Sequence, residues 1–486
     1  MKTENIASHW INGEWIQTED IKDSINPATY EIIGQYAEGG LAEADASIAA
    51  AKYAFSETSW RKDKNLRSEV IEKIAQRFEV YTNELIALLS LENGKIKPEA
   101  TFEINMVPSK LRYYAALART MKGESGQPKP GVFSMTIKEP VGVAGIIVPW
   151  NSPIVLAIRS IAPALATGCT VAVKMPGQTA QTNTLLAKIF SEVSELPKGV
   201  VNFFNELGGE GSKRLVSSPD TAVIGFTGST FTGALIAQQA GKLLKRCSLE
   251  LGGKSPHIVF EDANLDKLLP VLHKTVTTFA GQFCMAGSRL IVHNDIAEKV
   301  IASIANHFKT IRIGAAADPQ SEMGPMISKQ DVERVDQSVL EAIAAGAEVI
   351  VRGGPVTEST LSRGAFYQPT LLRVTNPDLD IVQKETFGPV MVVQTFETEA
   401  EAVLLANNSE FGLAASVWTP QNARAFRVAE QINAGTLWIN DWAKVYDEFE
   451  EGGFKNSGLG RLNGPAALDD FLELKHITFS TLAVDI

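Results

Sequence analysis

Apolar residues recur at spacings of three and four along two long stretches, Leu41–Phe55 and Leu66–Leu91, and this period predicts two amphipathic helices that serve as scaffold. After Gly123 the pattern breaks. A run rich in Gly and Pro, GESGQPKPG, leads into FSMTIKEPVGV, and this predicts a protruding hairpin arm. Between Val143 and Phe260 short apolar runs alternate with helical patterns: VAGIIV, a helix after Pro153, TVAVK, a helix after Thr179, GVVNFF, a helix after Gly211, TAVIGF, and a helix after Thr230. Short, fully apolar strands separated by helices are the signature of βαβ units on a parallel sheet. A second region with its own strands and helices runs from about Lys254 to about Asn440. In open sheets of this kind ligands sit beyond the carboxyl ends of the strands, so the residues after each run are where chemistry is expected.

Length and composition narrow the classes. The 486 residues are about three times the roughly 150 expected of one domain, so two or more cores are expected. Hydrophobic residues make up 45% and charged residues 21%, as in an ordinary globular chain. The polar start, MKTENIASHWINGEW, and the lack of any long apolar run predict a protein that is neither secreted nor membrane-spanning, hence cytoplasmic. A net charge of −11 without a basic stripe argues against nucleic-acid or acidic-membrane partners. Six histidines, His9, His257, His273, His293, His307 and His476, lack ligand spacing, and no CxxC or HExxH occurs, so no metal is expected. Cys169, Cys247 and Cys284 cannot form a disulfide framework, which suits a reducing compartment where a free thiol survives.

Individually the chemically able residues are ambiguous. Gly228, Ser229 and Gly233 in TGSTFTG open a predicted helix, where backbone N–H groups and the helix dipole favour a pyrophosphate; such turns are more often plain punctuation, and no GxGxxG is present. Lys174 ends TVAVK, as a phosphate or ribose contact or as a solvated strand end. Cys284 in FAGQFCMAGSR has the ordinary reading of a small buried hydrophobe. Glu250 in LELGGKSP is a turn residue or a general base, and Asn151 in VPWNSP is a turn residue or an oxyanion donor. Together, a thiol, a carboxylate and a side-chain amide near strand ends are the parts of acyl chemistry on a carbonyl.

The order of motifs makes the pattern specific. PWN at 149–151, Lys174, GST at 228–230, LELGGKSP at 249–256, GQxC ending at Cys284, ETFGP at 385–389 and GGFKNSGLGR at 452–461 resemble the NAD(P)-dependent aldehyde dehydrogenase superfamily over essentially the whole chain. The resemblance implies an α/β, aldehyde dehydrogenase-like fold: a Rossmann-like parallel-sheet cofactor domain (1–117 and 141–252), an α/β catalytic domain (253–453) and a β-hairpin oligomerisation arm (118–140 and 463–486). It implies Cys284 as nucleophile, Glu250 as general base and Asn151 as oxyanion-hole residue. It further implies Pro149, Trp150, Lys174, Gly177, Gly208, Gly228, Ser229, Gly233, Leu251, Glu385 and Phe387 along the dinucleotide. The expected reaction oxidises an aldehyde to its acid through a Cys284 thiohemiacetal and thioester, with hydride passing to NAD or NADP. Hydrolysis of thioesters without redox is the rival from another class, and the nucleotide motifs count against it. The arm and the C-terminal HITFSTLAV should present strand edges, and these are expected to pair between subunits in a dimer or dimer of dimers.

Two departures from the family pattern carry expectations of their own. Many members continue the strand lysine as KPxE, whereas KMPGQT places Gly177 where the ribose-binding acid would be. Without a carboxylate to repel a 2′-phosphate, NADP should be accepted alongside NAD, and Gly177→Glu should favour NAD by roughly tenfold to a hundredfold. The rival account gives Gly177 a backbone angle open to glycine alone. The second departure is EEGG for PFGG, which puts Glu450 and Glu451 near the substrate entrance with Trp442 and Tyr446. Arg159, on the helix after Asn151, favours a carboxylated semialdehyde of the succinic or malic type, or forms a buried ion pair. Glu451 beside Trp442 and Tyr446 favours a betaine- or amino-aldehyde instead, and aromatic aldehydes also remain open.

Overall fold

The computed structural model describes residues 6–357 and 360–481. Helices α1 (Leu41–Glu57) and α2 (Lys64–Asn93) match the two amphipathic stretches closely, and α3 (Lys97–Thr120) adds a third long helix that the pattern does not single out. Their ends have local causes. The Asp63 carboxylate accepts from the Asn65 and Leu66 N–H groups to start α2, and Gly94, at φ 85°, ends it in the left-handed conformation that favours glycine.

The alternating region then builds a sheet of eight strands in the order Glu14–Ile16, His9–Ile11, Val201–Glu206, Thr170–Pro176, Val143–Ile147, Thr221–Thr227, Arg246–Glu250 and Gly458–Leu459. The five central strands are parallel, and both flanking pairings are antiparallel. Helices α4 (Pro153–Thr167), α5 (Ala180–Ser191), α6 (Glu210–Ser217) and α7 (Thr230–Gly241) make the crossovers. From the strand Val143–Ile147 the chain winds first to one side and then returns to the other. The strand order therefore reverses between Val143–Ile147 and Thr221–Thr227, and a crevice opens beyond their carboxyl ends. The Asn151 loop leaves the first of these strands and the Gly228–Ser229 turn leaves the second.

A second sheet of seven strands, from Glu348–Val351 at one edge to Thr436–Ile439 at the other, lies over its own apolar cores. Among the described residues no helix is long and apolar enough to cross a membrane.

The arm corrects one expectation. Its hairpin, Glu124–Lys129 with Val132–Pro140, takes Leu472–Ser480 as a third strand from the same chain, Leu472 opposite Pro140 and Ser480 opposite Val132. The segments expected to pair across subunits pair with each other, with Phe133 stacked on Phe479 at 5.4 Å. The end of HITFSTLAV, from residue 482 on, lies outside the described residues.

Candidate active site

Cys284 stands in an irregular segment that the chain holds tightly. Phe279 and Ala280 have φ of 54° and 51°, and a Cβ on Gly281 would come within 2.2 Å of the Gly388 backbone. Only glycine fits there. The Glu99 carboxylate accepts the Phe279 N–H at 2.8 Å, and the Gln282 side-chain oxygen accepts the Ile327 N–H at 2.9 Å. These bonds hold the loop that carries the thiol. Asn151, 7% exposed, donates from Nδ2 to the Gln282 carbonyl at 3.1 Å. An amide nitrogen has two hydrogens, so that bond orients the group and leaves one for an oxyanion.

Glu250 ends the strand Arg246–Glu250 and is 2% exposed. Its Oε2 accepts from Arg159 Nη2 at 2.9 Å, and the other end of the guanidinium, Nη1, donates to Glu451 Oε1. Burial pushes the Glu250 carboxyl up, against the pull of Arg159. Burial also pushes the Cys284 thiol well up, and the facing Glu250 adds to it. Both effects favour the protonated thiol at Cys284, beside the Glu250 carboxyl. Of the two sequence readings of Arg159, the structure takes the buried ion pair. Both guanidinium ends are engaged inside the protein, so the feature that favoured a carboxylated semialdehyde is already spent on Glu250 and Glu451.

Two cavities meet at this point. One is lined by Asn151, Arg159, Cys284 and Glu451 with a largely apolar wall from Phe102, Met106, Val155, Leu156, Phe279, Phe283 and Val445. The other is lined by Pro149, Trp150, Asn151, Gly228, Ser229, Glu250, Leu251, Cys284, Glu385 and Phe387. Asn151 and Cys284 belong to both. The expected funnel aromatics do not line the first cavity: Trp442 donates its Nε1–H to the Met285 carbonyl and packs on Phe283, while Tyr446 is 59% exposed. Glu450 is exposed and accepts the Ala466 N–H. The α3 residues Phe102, Met106 and Lys110, and Asn463, are cavity residues that sequence reasoning missed.

From the second cavity a groove continues past the start of α7, which Ser229 caps by accepting the Thr232 N–H at 3.3 Å. It ends in an apolar slot lined by Ile147, Phe226, Leu235 and Ile236, with Lys174 and Gly208 at its side. A flat base in the slot, a pyrophosphate at the start of α7 and a ring at Cys284 match this layout, so the residues present fit a dinucleotide. Glu385 accepts the Gly253 N–H at 3.2 Å and is raised by burial to about 7, while burial lowers the neighbouring Lys254 to about 7. Phe387 meets Trp150 edge to face at 5.7 Å. Arg334, unforeseen, donates to the Thr386 and Phe387 carbonyls and lines the same cavity.

Two glycines behave differently from expectation. Gly233 lines neither cavity; a Cβ there would lie 2.4 Å from Leu251, so it serves the approach of α7 to Leu251. Gly177 is buried, and a Cβ would lie 2.7 Å from the Tyr36 hydroxyl and 3.0 Å from Leu207. Its φ is not among the positive values, so the backbone-angle account fails. A side chain there must displace Tyr36, which makes Gly177→Glu a steric change as well as an electrostatic one. Burial lowers the Lys174 ammonium against the pull of two carboxylates, Glu206 and then Glu38, and Glu38 also accepts the Leu207 and Gly208 N–H groups at 2.9 and 3.0 Å.

Residues 15–477 match the model of the aldehyde dehydrogenase family. The chain is 38% identical over 476 residues to betaine aldehyde dehydrogenase of Bacillus subtilis (strain 168), covering 97% of each. The structure of betaine aldehyde dehydrogenase from Staphylococcus aureus in complex with NAD+ superposes with a TM-score of 0.96 at 34% identity, over 99% of this chain and 96% of that one. The NAD+ complex of an aldehyde dehydrogenase from Bacillus cereus gives 0.95 at 36% identity, over 98% and 97%. With the family model matched over residues 15–477 and these relatives matched over nearly their whole lengths, the chain belongs to the aldehyde dehydrogenase family, the enzymes that oxidise an aldehyde to the carboxylic acid with a nicotinamide cofactor.

Proposed function

We propose that Cys284, Asn151 and Glu250 carry the oxidation, and the observation behind this is that Asn151 and Cys284 stand on the wall between the two cavities. The aldehyde occupies the apolar cavity. Cys284 Sγ gives up its proton to solvent and adds as the thiolate to the carbonyl carbon. The free hydrogen of Asn151 Nδ2 and the Cys284 backbone N–H stabilise the oxyanion, each such donor contributing about 3–4 kcal/mol in comparable sites. Bound at the second cavity by Ser229, Glu385 and Phe387, the dinucleotide supplies the hydride acceptor. The thioester left on Cys284 is hydrolysed when Glu250 Oε1 takes a proton from water, and the acid departs. A purely hydrolytic reading gives no role to the groove and is set aside by family membership.

The cavity favours an apolar or aromatic aldehyde, because both of its cations are engaged: Arg159 by two carboxylates and Lys110 by Asp447 and Asn463. A betaine-type aldehyde is the second reading, supported by the Glu451 carboxylate, the phenylalanine walls and the names of the relatives. In assays of a panel of aldehydes with NAD, kcat/KM should be highest for apolar or aromatic members. A semialdehyde bearing a carboxylate as the fastest substrate would show that Arg159 turns to the substrate, and a quaternary ammonium aldehyde as the fastest would favour the second reading.

For the cofactor we propose NAD first with NADP also accepted, Lys174 attracting a 2′-phosphate and Glu38 opposing it. Glu38→Gln keeps an oxygen for the loop N–H groups and removes the opposing charge. The ratio of kcat/KM for NADP to that for NAD should rise on the order of threefold to tenfold, mainly through the KM for NADP. An unchanged ratio would remove Glu38 from cofactor choice.

We also propose a cytoplasmic home, consistent with three cysteines that are all free thiols. A homo-oligomer is proposed on the arm, whose strands Val132–Pro140 and Leu472–Ser480 expose Phe133, Leu474, Ile477 and Phe479.

A further inference from the structure

Arg159 carries one charge and faces two carboxylates. Nη2 holds Glu250 Oε2 and Nη1 holds Glu451 Oε1, and all three side chains are at least nine-tenths buried. Among the described residues the remaining carboxylate oxygens, Glu250 Oε1 and Glu451 Oε2, have no hydrogen-bond partner. Two buried carboxylates on one guanidinium leave the group a negative charge in excess, an arrangement that burial makes costly unless it serves a purpose.

An arginine paired with Glu250 alone would fix the carboxylate and, by its full charge, make it a feeble proton acceptor. We propose that Glu451 is a positioning residue that acts through Arg159: it shares the guanidinium charge, so that Glu250 is anchored by Oε2 yet remains an effective base at Oε1. This rests on the reading of Glu250 as the base. The directions of the local charges agree, since Arg159 lowers the Glu250 carboxyl and Glu451 raises it. The other charged or titratable groups around the clamp are Cys284 on the nucleophile segment, Lys110 and Tyr114 on α3, with Asp447 held by Lys110, and Glu385 beyond the thiol. None of these bridges the two carboxylates; Arg159 alone does.

The proposal makes opposite predictions for the two partners. In Glu451→Gln the guanidinium is left to Glu250, and the acid limb of the kcat–pH profile should move down by roughly one pH unit. Its plateau should fall because the base is weaker, so the profile crosses that of the wild type. In Arg159→Gln the two carboxylates repel without a mediator and the limb should move up. Glu451→Asp keeps the charge and should restore the wild-type limb. A loss of packing alone lowers kcat at every pH without moving the limb. The proposal is overturned if Glu451→Gln leaves the limb in place or shifts it upward, or if Glu451→Asp shifts it as far as Glu451→Gln does. Should one of the charge-removing variants fail to fold, the sign of the shift in the other decides. Glu250→Gln separates the two readings: a limb that persists there overturns Glu250 as base, whereas a limb that vanishes there and stays put in Glu451→Gln overturns the clamp alone.

Discussion

Cys284→Ala is expected to lower dehydrogenase turnover by at least roughly four orders of magnitude, and to abolish ester hydrolysis in parallel, because both reactions need the same sulfur. No substitute thiol is available. Cys169 is buried against the Phe471 carbonyl, and Cys247 lies near the opposite end of the strand that ends in Glu250. The substitution removes one half-buried sulfur from a loop held by Glu99, Gln282 and the glycine contact at Gly281, so the loop should keep its course. Cofactor binding, read by fluorescence quenching, should therefore survive while the aldehyde-dependent appearance of reduced nicotinamide disappears. Retention of dehydrogenase rate within tenfold would overturn the nucleophile assignment.

Glu250→Gln should separate the two halves of the reaction. Addition of the thiol and hydride transfer precede the step that needs a base for water, so a burst of reduced nicotinamide should persist while steady turnover falls roughly a hundredfold to ten-thousandfold. The glutamine oxygen can still accept from Arg159, which favours a folded variant. In the wild type the carboxyl is raised by burial, so the enzyme loses its base as pH falls through a value above the ordinary carboxylate range. Turnover should rise with pH through that region, and the rise should be absent from Glu250→Gln. Stopped-flow absorbance over a pH series checks both statements. A variant that binds cofactor but shows no burst would place Glu250 in an earlier step.

The legible parts of this chain are those whose cause is local. The alternation of VAGIIV, TVAVK, GVVNFF and TAVIGF with helical segments is a period, and the parallel sheet with its crossovers follows it. Cys284, Glu250 and Asn151 were legible as candidates because each sits in a short motif at a strand end or loop, and the structure brings the three around one cavity. The Arg159–Glu451 bond joins residues 292 apart in sequence, and Glu38 meets Leu207 across 169, and neither leaves a periodic trace. Gly177 shows the hazard of reasoning from a missing side chain. An absent acid reads only as a missing charge, whereas the space beside Gly177 is filled by the Tyr36 hydroxyl and Leu207. Trp442 failed for a related reason: composition marks an aromatic near an entrance, but only packing decides that its ring lies on Phe283 with its N–H on the Met285 carbonyl.

The short strand Gly458–Leu459 lies antiparallel to the strand that ends in Glu250, with Gly458 opposite Glu250 itself, and the Leu251 N–H donates to the Ser457 carbonyl at 2.9 Å. A few residues earlier the same segment carries Glu451, bridged to Leu462 in both directions at 2.8 Å. The glycine-rich stretch between Glu451 and Leu462 thus works as a spacer of set length, pinned at both ends. Surface loops ordinarily absorb an inserted residue at little cost. Here one added residue would slip the pairing at Gly458 or pull Glu451 away from Arg159, so a stretch with the composition of a tolerant loop should reject changes in its length.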